Sequence, residues 1–315
     1  MAQYIVKRVL FSVFVLFIIS IIVFSAVRLI PGDVCRIVLA TPDVDEQQCN
    51  AIREELGLNE PFVSQYISYM AGVLHGDFGQ TLISKRDVWG EIQQRIPLTL
   101  ELTVLATLLA ITLALPIGVI SAVKQDSALD YLLRFVSIGW LSIPAFWLGT
   151  MLIILPANWW GYSPPVGYVD FVDDPLKNLE QLYLPAIALG VGLSASLARI
   201  TRSSVLEVFR QDYVRTARAK GLKERAIIVR HTMKNAMIPV VTLFGIQFGF
   251  LLGGTVVLEQ IFALPGLGLL TFQAVTIKDY SQVQGLVLFF AVVLVTLNLL
   301  VDLSYAWFDP RIKYT

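Results

Sequence analysis

Ser203–Val240, SSVLEVFRQDYVRTARAKGLKERAIIVRHTMKNAMIPV, lies between two apolar runs long enough to cross a bilayer. From Arg199 to Lys234 there are ten Lys/Arg against three acids (Glu207, Asp212, Glu224), a net of +7 in a chain whose total charge is zero. A short, strongly basic loop between membrane spans belongs on the cytoplasmic side, where Lys and Arg are retained. The stretch also reads as helix. Asp212 is placed to N-cap a segment starting at Tyr213, and Gly221 to end it in a left-handed turn. Lys223 to Asn235 makes a second amphipathic segment, and Pro239 opens the next span.

The rest of the chain has the composition such a loop requires. Its 315 residues are 56% hydrophobic and only 15% charged, with a mean hydropathy of +0.69. Soluble domains carry roughly a quarter charged residues. An all-α polytopic membrane protein is expected.

Outward from the loop, the N-terminal run from Val9 to about Ile30 follows Lys7 and Arg8. It has the length of a full span and no small-x-small cleavage site after it, so it reads as an uncleaved helix with its N-terminus inside. Residues 31–97 hold ten acids against five bases, which suits the outer face. Short helices are expected there: Asp45 to Leu56 stopped by Gly57, Pro61 to Leu74 stopped by Gly76, and a third with Val88, Ile92 and Ile96 on one face. Together they form a small cap over the outer mouth, with packing as its main role and binding as the alternative. Cys35 and Cys49 both fall in this segment. An oxidising compartment permits a disulfide between them, and two free thiols are the alternative.

A second span, Leu98 to about Ala122, is interrupted by Pro116 and Gly118, which a membrane bundle tolerates. The link 123–134, with Lys124 and Arg134, belongs inside. A third span, Phe135 to Pro156, is closed by Trp159, Trp160 and Tyr162, an aromatic cluster suited to a membrane surface. The acidic loop Gly161 to Tyr183 belongs outside, and a fourth span, Leu184 to Ala198, leads into the basic loop. The fifth, Ala236 to about Leu258, carries Gly245, Gly249, Gly253 and Gly254, which allow close helix contact. In FALPGLGLL, residues 262–270, the residues Pro265, Gly266 and Gly268 break helix, and the apolar neighbours point to a re-entrant turn lining a pathway; a tight surface turn is the alternative. The last span, Gly285 to Trp307, ends in DPRIKYT with Arg311 and Lys313 inside. The count is six spans with both termini cytoplasmic.

Several chemistries are absent from the sequence. No Gly-Lys dipeptide occurs, so no phosphate-binding loop of the nucleotide-hydrolysing type is present. His75 and His231 lack neighbours at metal spacing, and no nucleophile arrangement stands out. Within the spans only Glu101 and Asp302 are ionisable, with Glu259 at an outer edge. Proton- or ion-coupled carriers place such groups near the midplane beside broken helices. Structural pairing is therefore expected for Glu101, and for Asp302 with Arg311 or the bundle.

DYVRTARAKGL and RHTMKNAMIPVVT resemble the cytoplasmic coupling loop of permease subunits of bacterial peptide-importing ABC transporters. The wider importer class has a Glu-Ala-Ala triplet, three intervening residues, a Gly, and later a Pro. Here the triplet is Arg215-Thr216-Ala217, with Gly221 and Pro239. Only Ala217, Gly221 and Pro239 keep the wider pattern, and the Gly-to-Pro distance is longer. The Arg-Thr-Ala version is similar to the peptide branch, as are Pro265-Gly266-Leu267-Gly268, Asp279-Tyr280 and Gln284-Gly285. The resemblance covers the whole chain.

It implies a type I ABC importer permease. Residues 1–97 would be the first transmembrane helix plus an extracytoplasmic helical cap, 98–307 a five-helix core with the coupling loop at 199–235, and 308–315 a cytoplasmic tail. It implies an ATPase-docking helix comprising Asp212, Tyr213, Arg215, Thr216, Ala217, Arg218, Ala219, Lys220, Gly221 and Leu222, with small Ala217 and Gly221 allowing close approach. Pro265, Gly266 and Gly268 are the pathway candidates. The implied partners are a second homologous permease, two ATPase subunits, an extracytoplasmic substrate-binding protein and the lipid of the bacterial inner membrane; nucleic acid is not among them. No cofactor sits on this chain, ATP–Mg being held by the partner ATPase, so it is not itself an enzyme. The implied cargo is di- or oligopeptides, glutathione-like ones included, with nickel complexes and opines as branch alternatives. An independent secondary carrier or channel, in which the basic loop is only a topology signal, is the competing class.

Overall fold

A computed structural model describes residues 2–29, 35, 46–55 and 57–308. The expected end of the first span at Ile30 and the Arg311/Lys313 tail lie outside the described residues. The first span is α1, Ala2–Leu29. In the segment that follows, α2 covers Glu46–Glu55 and α3 Phe62–Leu74, with Gly57 and Gly76 at positive φ beyond their ends. Cys35 and Cys49 are joined as a disulfide with a Cα–Cα separation of 5.3 Å, inside the usual range for such bonds. A short α4, Val88–Gln93, is N-capped by Asp87, whose carboxylate accepts from the Gly90 N–H at 2.6 Å. Val88 and Ile92 are fully buried against Leu267, Leu270 and Leu286, so the face expected of them is real and seats the insertion on the bundle.

The body consists of α5 (Ile96–Val123), α6 (Ala128–Ser142), α7 (Ala145–Trp160) and α8 (Pro175–Phe209). The basic stretch holds α9 (Asp212–Ala219), α10 (Glu224–Ala226) and a π-helical turn, Ile227–Thr232, that runs into α11 (Met233–Gly254). The chain closes with α12 (Val256–Ile261), α13 (Leu267–Thr276) and α14 (Tyr280–Phe308). Five helical stretches are long and apolar enough to span a membrane, and α6 with α7 makes a sixth, bent one.

The most extensive pairing joins α5 to α8. Every fourth residue on the facing stripe of α5 is small and buried: Ala106, Ala110, Ala114 and Gly118. Opposite them α8 places Ala186, Gly190, Ser194 and Ala198, also buried and also four apart. A Cβ on Gly190 would come within 2.7 Å of the Ala106 carbonyl oxygen, and one on Gly118 within 2.7 Å of the Ala198 carbonyl oxygen. Lipid tails offer no hydrophobic gain for helix association, so close backbone approach through small residues is what holds such pairs. Here that approach makes α5 and α8 the spine of the bundle.

Three boundaries differ from expectation. The third span is not one helix: α6 begins at Ala128 and meets α7 at a 92° bend. Pro144 is the cause, since it drives Ile143 to extended backbone (φ −88°, ψ 119°) and then starts α7 itself. The inside link thereby shrinks, and Arg134 sits on helix. The fourth span is much longer than Leu184 to Ala198, because Asp174 caps α8 at Lys177 N–H and Pro175 occupies its first turn, while its other end runs on to Phe209. The amphipathic segment Lys223 to Asn235 is not separate from the fifth span but flows into it, with Pro239 inside α11. Asp302, expected to pair with Arg311 or the bundle, pairs with Arg8 of α1 at 2.8 Å, tying the first and last spans together.

Candidate functional site

At the basic end, Gln211 rather than Asp212 occupies the N-cap of α9, and no side chain caps it; Asp212 is the first helical residue, exposed and 3.4 Å from Arg215. Val214 and Ala217 point inward and are buried with Ile227, Val208 and Phe209. Ala217 is thus a packing foot and not part of the outer face. The exposed residues are Tyr213, Arg215, Thr216, Arg218, Ala219, Lys220, Gly221 and Leu222. Arg218 turns back, 2.7 Å from Glu224 and over the Phe209 ring. Tyr213 accepts from Asn235 Nδ2 at 2.7 Å, latching α9 to the start of α11.

The helix stops as its sequence dictates. Gly221 sits at φ +76°. Its N–H donates to the Arg218 carbonyl at 2.9 Å, and the Leu222 N–H reaches the Ala217 carbonyl at 3.3 Å. This pair of bonds satisfies carbonyls that a helix end otherwise leaves open. The result is a short, stiff, basic helix standing on a three-residue apolar foot, with nothing within 4 Å of where a Gly221 Cβ would be. Such a knob can seat in an acidic groove of another protein.

At the opposite end the Pro265 turn is built around a buried carboxylate. Glu259 of α12 is fully buried. It accepts from the Thr255 hydroxyl and from the Leu269 N–H, the latter at 2.7 Å, so it caps the N-terminus of α13 from outside the helix. The Leu267 N–H is satisfied by Thr99 Oγ1 at 2.9 Å, and the Leu264 N–H by the Glu259 carbonyl at 2.7 Å. Gly266 has no room for a side chain because a Cβ would collide with the Glu259 carboxyl, and a Cβ on Gly268 would meet Val256 N at 2.9 Å. Gly268 is itself helical, in the first turn of α13. Of the three pathway candidates only Pro265 is exposed; both glycines face protein.

Just past α13, Asp279 is buried and accepts from Leu82 N–H at 2.9 Å and Gln282 N–H at 3.1 Å, pinning the 80–87 loop to the start of α14. Burial pushes its carboxyl above the ordinary carboxylate range, with the two N–H donors opposing the shift. Glu101 accepts from Asn178 Nδ2 at 2.7 Å and from the Tyr168 hydroxyl at 3.1 Å. The Tyr168 hydroxyl is raised by burial and then by the Glu101 charge. Glu101 and Asp302 therefore both have structural partners.

Sequence reading missed two buried carboxylates. Glu259 reads as an edge residue until its role as a cap on a helix ten residues on is seen. Asp130 reads as part of a short link, yet it is fully buried and gripped by Arg202 at 2.8 Å and by Ser121. Among the described residues no group of three or more metal-ligating side chains comes together.

Residues 114–314 match the family described as binding-protein-dependent transport system inner membrane component, and residues 1–103 match the family of its N-terminal part. The chain belongs to this family. It is a multi-pass inner-membrane permease subunit of an ABC importer, of the peptide or oligopeptide type. It is 39% identical, over the full length of both chains, to the glutathione transport system permease protein GsiC of Escherichia coli strain K12. The GsiC of Shigella flexneri serotype 5b has the same identity and coverage. Among solved structures it is similar to the inward-facing MetNI methionine ABC transporter, with a TM-score of 0.55 and 21% identity over 70% of this chain and 96% of that one. An amino acid ABC transporter gives a TM-score of 0.51 at 16% identity, over 68% and 92%. These two likenesses bear on the fold alone. An importer permease of this family works in general with a partner permease, an ATPase and a binding protein.

Proposed function

We propose that this permease couples ATP hydrolysis on two partner ATPase subunits to the passage of small peptides, and that α9 is the coupling element. The observation that carries the proposal is the construction of α9: a stiff basic knob held by Val214, Ala217 and the Gly221 turn. Arg215, Thr216, Ala219, Lys220, Gly221 and Leu222 form the face offered to the ATPase, with Arg218 partly committed to Glu224. The strongly basic end lies in the cytoplasm, and so do both termini. The acidic insertion after α1 then faces the extracytoplasmic binding protein. Closure of the ATPases on ATP, bound there with Mg, would push on α9 and, through the Val208/Phe209 contact, on α8 as a rigid body. No cofactor is required on this chain.

A second, similar permease would complete the pathway, with Pro265 on its outer rim and Gly266 and Gly268 shaping the turn behind it. The cargo is di- or oligopeptides, and the glutathione permeases among the relatives favour a glutathione-sized one. Nickel complexes and opines are the rival cargoes within the same class.

The decisive variant is Gly221→Asp, which adds bulk and charge where the knob meets its partner and leaves the spans alone. Purified with its co-expressed partners and reconstituted, it should lose peptide-stimulated ATP hydrolysis. Retained stimulation would reject α9 as the coupling element. Purification of the tagged chain from its membrane in mild detergent tests the assembly: a lone chain with no ATPase would instead support a carrier.

A further inference from the structure

Between α5, α6 and α8, toward the basic end, lies a cavity of about 170 Å³. One wall is apolar, made by Ile117, Leu133, Ile138 and Leu141. Arg134, Arg199 and Arg202 line it too. The charges there do not balance. Asp130 is the one buried carboxylate, and Arg202 takes both of its oxygens, at 2.9 and 2.8 Å. Asp126, the other acid close by, is exposed on the α5–α6 turn.

One carboxylate thus stands against three guanidinium groups: Arg134 shares Asp130 with Arg202 and lies over the Tyr131 ring, and Arg199 has no share of it. Arg134 Nε lies 3.3 Å from Asp130 without hydrogen-bond geometry, and both Nε and Nη2 are buried with no hydrogen-bond partner. Arg199 has no carboxylate partner among the described residues. Buried guanidinium N–H groups without acceptors are costly, and a planar fork of this kind matches a phosphate. Meanwhile the neighbouring face of α6, with Leu132, Phe135 and Ile138 mostly exposed, is greasy. A ligand that satisfies both walls has an anionic phosphate at one end and a hydrocarbon tail at the other.

We propose that this cavity is a binding site for an anionic phospholipid, its phosphodiester held by Arg134 and Arg199 and its acyl chain laid along Ile117, Leu133 and Ile138. Basic pockets between helices near the membrane surface are suited to such headgroups. The site sits at the hinge side of α6 and on α8, whose far end packs against the foot of α9, so an occupied site braces the helix that leads to the knob. It rests on the membrane assignment and not on the coupling role, and its test reads lipid and not ATPase.

The transporter, extracted with its partners in mild detergent and placed in phosphatidylcholine nanodiscs doped with phosphatidylglycerol, is analysed by native mass spectrometry. The wild-type chain should retain phosphatidylglycerol in preference to phosphatidylcholine. Arg199→Gln, on an exposed side chain, should weaken retention roughly fivefold, and adding Arg134→Gln should weaken it roughly fivefold again. Ser137→Phe should abolish retention with no change in charge, by filling the lining at Ser137. Arg210→Gln, exposed and outside the cavity, should do nothing. Equal loss with Arg210→Gln would mean general surface attraction and overturn the site. So would unchanged retention in the double variant, or displacement of the lipid by millimolar inorganic phosphate, which would make it a free-anion site.

Discussion

The two ends of this permease each contain a short helix set by a glycine, and they are built in opposite ways. At α9 the glycine is free: Gly221 adopts a left-handed conformation with open space around it, and the helix buries only Val214 and Ala217, with the Tyr213–Asn235 and Arg218–Glu224 contacts exposed. At α13 the glycine is trapped: Gly266 has ordinary backbone angles but its missing side chain makes room for the buried Glu259 carboxyl. One turn needs glycine for conformation, the other for volume. The difference teaches which end can move. A helix on a small foot can rock as a unit, whereas a turn threaded through a buried carboxylate, Thr99 and Thr255 can only stay as it is or come apart.

The largest effects should therefore fall on the α13 turn. Glu259→Leu removes the acceptor of the buried Leu269 N–H and of Thr255, and should cost about 3 kcal/mol, near the top of the range for orphaned buried donors. Gly266→Ala should cost about 2 kcal/mol by overpacking against the same carboxyl. Both are read as a lowered unfolding midpoint in detergent and poor accumulation in the membrane. The double variant Glu259→Ala with Gly266→Ala should be less than additive, because the first substitution clears the space the second fills. Strict additivity would break the idea that Gly266 makes room for Glu259.

How much of this contrast could be read from the chain is uneven. The spans were legible because an apolar run has one reading in a bilayer; Gly221 takes the left-handed conformation expected of it, and Gly57 and Gly76, expected as helix stops, take it too. The α5–α8 stripe is present in the sequence as Ala106, Ala110, Ala114 and Gly118, spaced by four, but alanine is a good former of any helix and so marks a contact face less sharply than the fifth-span glycines do. The bend at Pro144 carried its own signal, a proline inside an apolar run. Glu259 and Asp130 were not legible at all. Glu259 meets Leu269 only once the Pro265 turn folds back over it, and Asp130 meets Arg202 only once α8 packs beside it, and neither arrival follows from helical periodicity. The inward turn of Ala217 falls between: its spacing from Val214 shows a shared face, but not which face meets the bundle.

A middle-sized effect should come from the foot of α9. Val214→Ala removes buried methyl groups from a cluster of three buried residues and should loosen the foot by about 1–1.5 kcal/mol. Since the cluster joins α9 to the last turn of α8 at Val208 and Phe209, amide hydrogen exchange over residues 212–222 should quicken by roughly tenfold, while exchange in α5 and in the rest of α8 stays put. Exchange that quickens equally in α8 would show that α9 and α8 are one rigid unit, and the contrast between a rocking end and a locked end would fail.

The smallest effects sharpen what the Gly221 position is for. With no atom within 4 Å of a Cβ there, a substitution costs backbone strain and nothing else within this chain. Gly221→Ala should cost about 1 kcal/mol, confined to the last turn of α9. Gly221→Asn should cost less, because Asn tolerates the left-handed region. The pair separates two roles by their order. If the conformation of the turn is what coupling needs, Asn should preserve peptide-stimulated ATP hydrolysis better than Ala does, although its side chain is larger. If the open space is itself occupied by the ATPase, Asn should be worse than Ala, because the longer side chain projects further into the contact. The ranking of two nearly silent substitutions thus decides whether the partner touches Gly221 or only depends on the shape it gives the helix end.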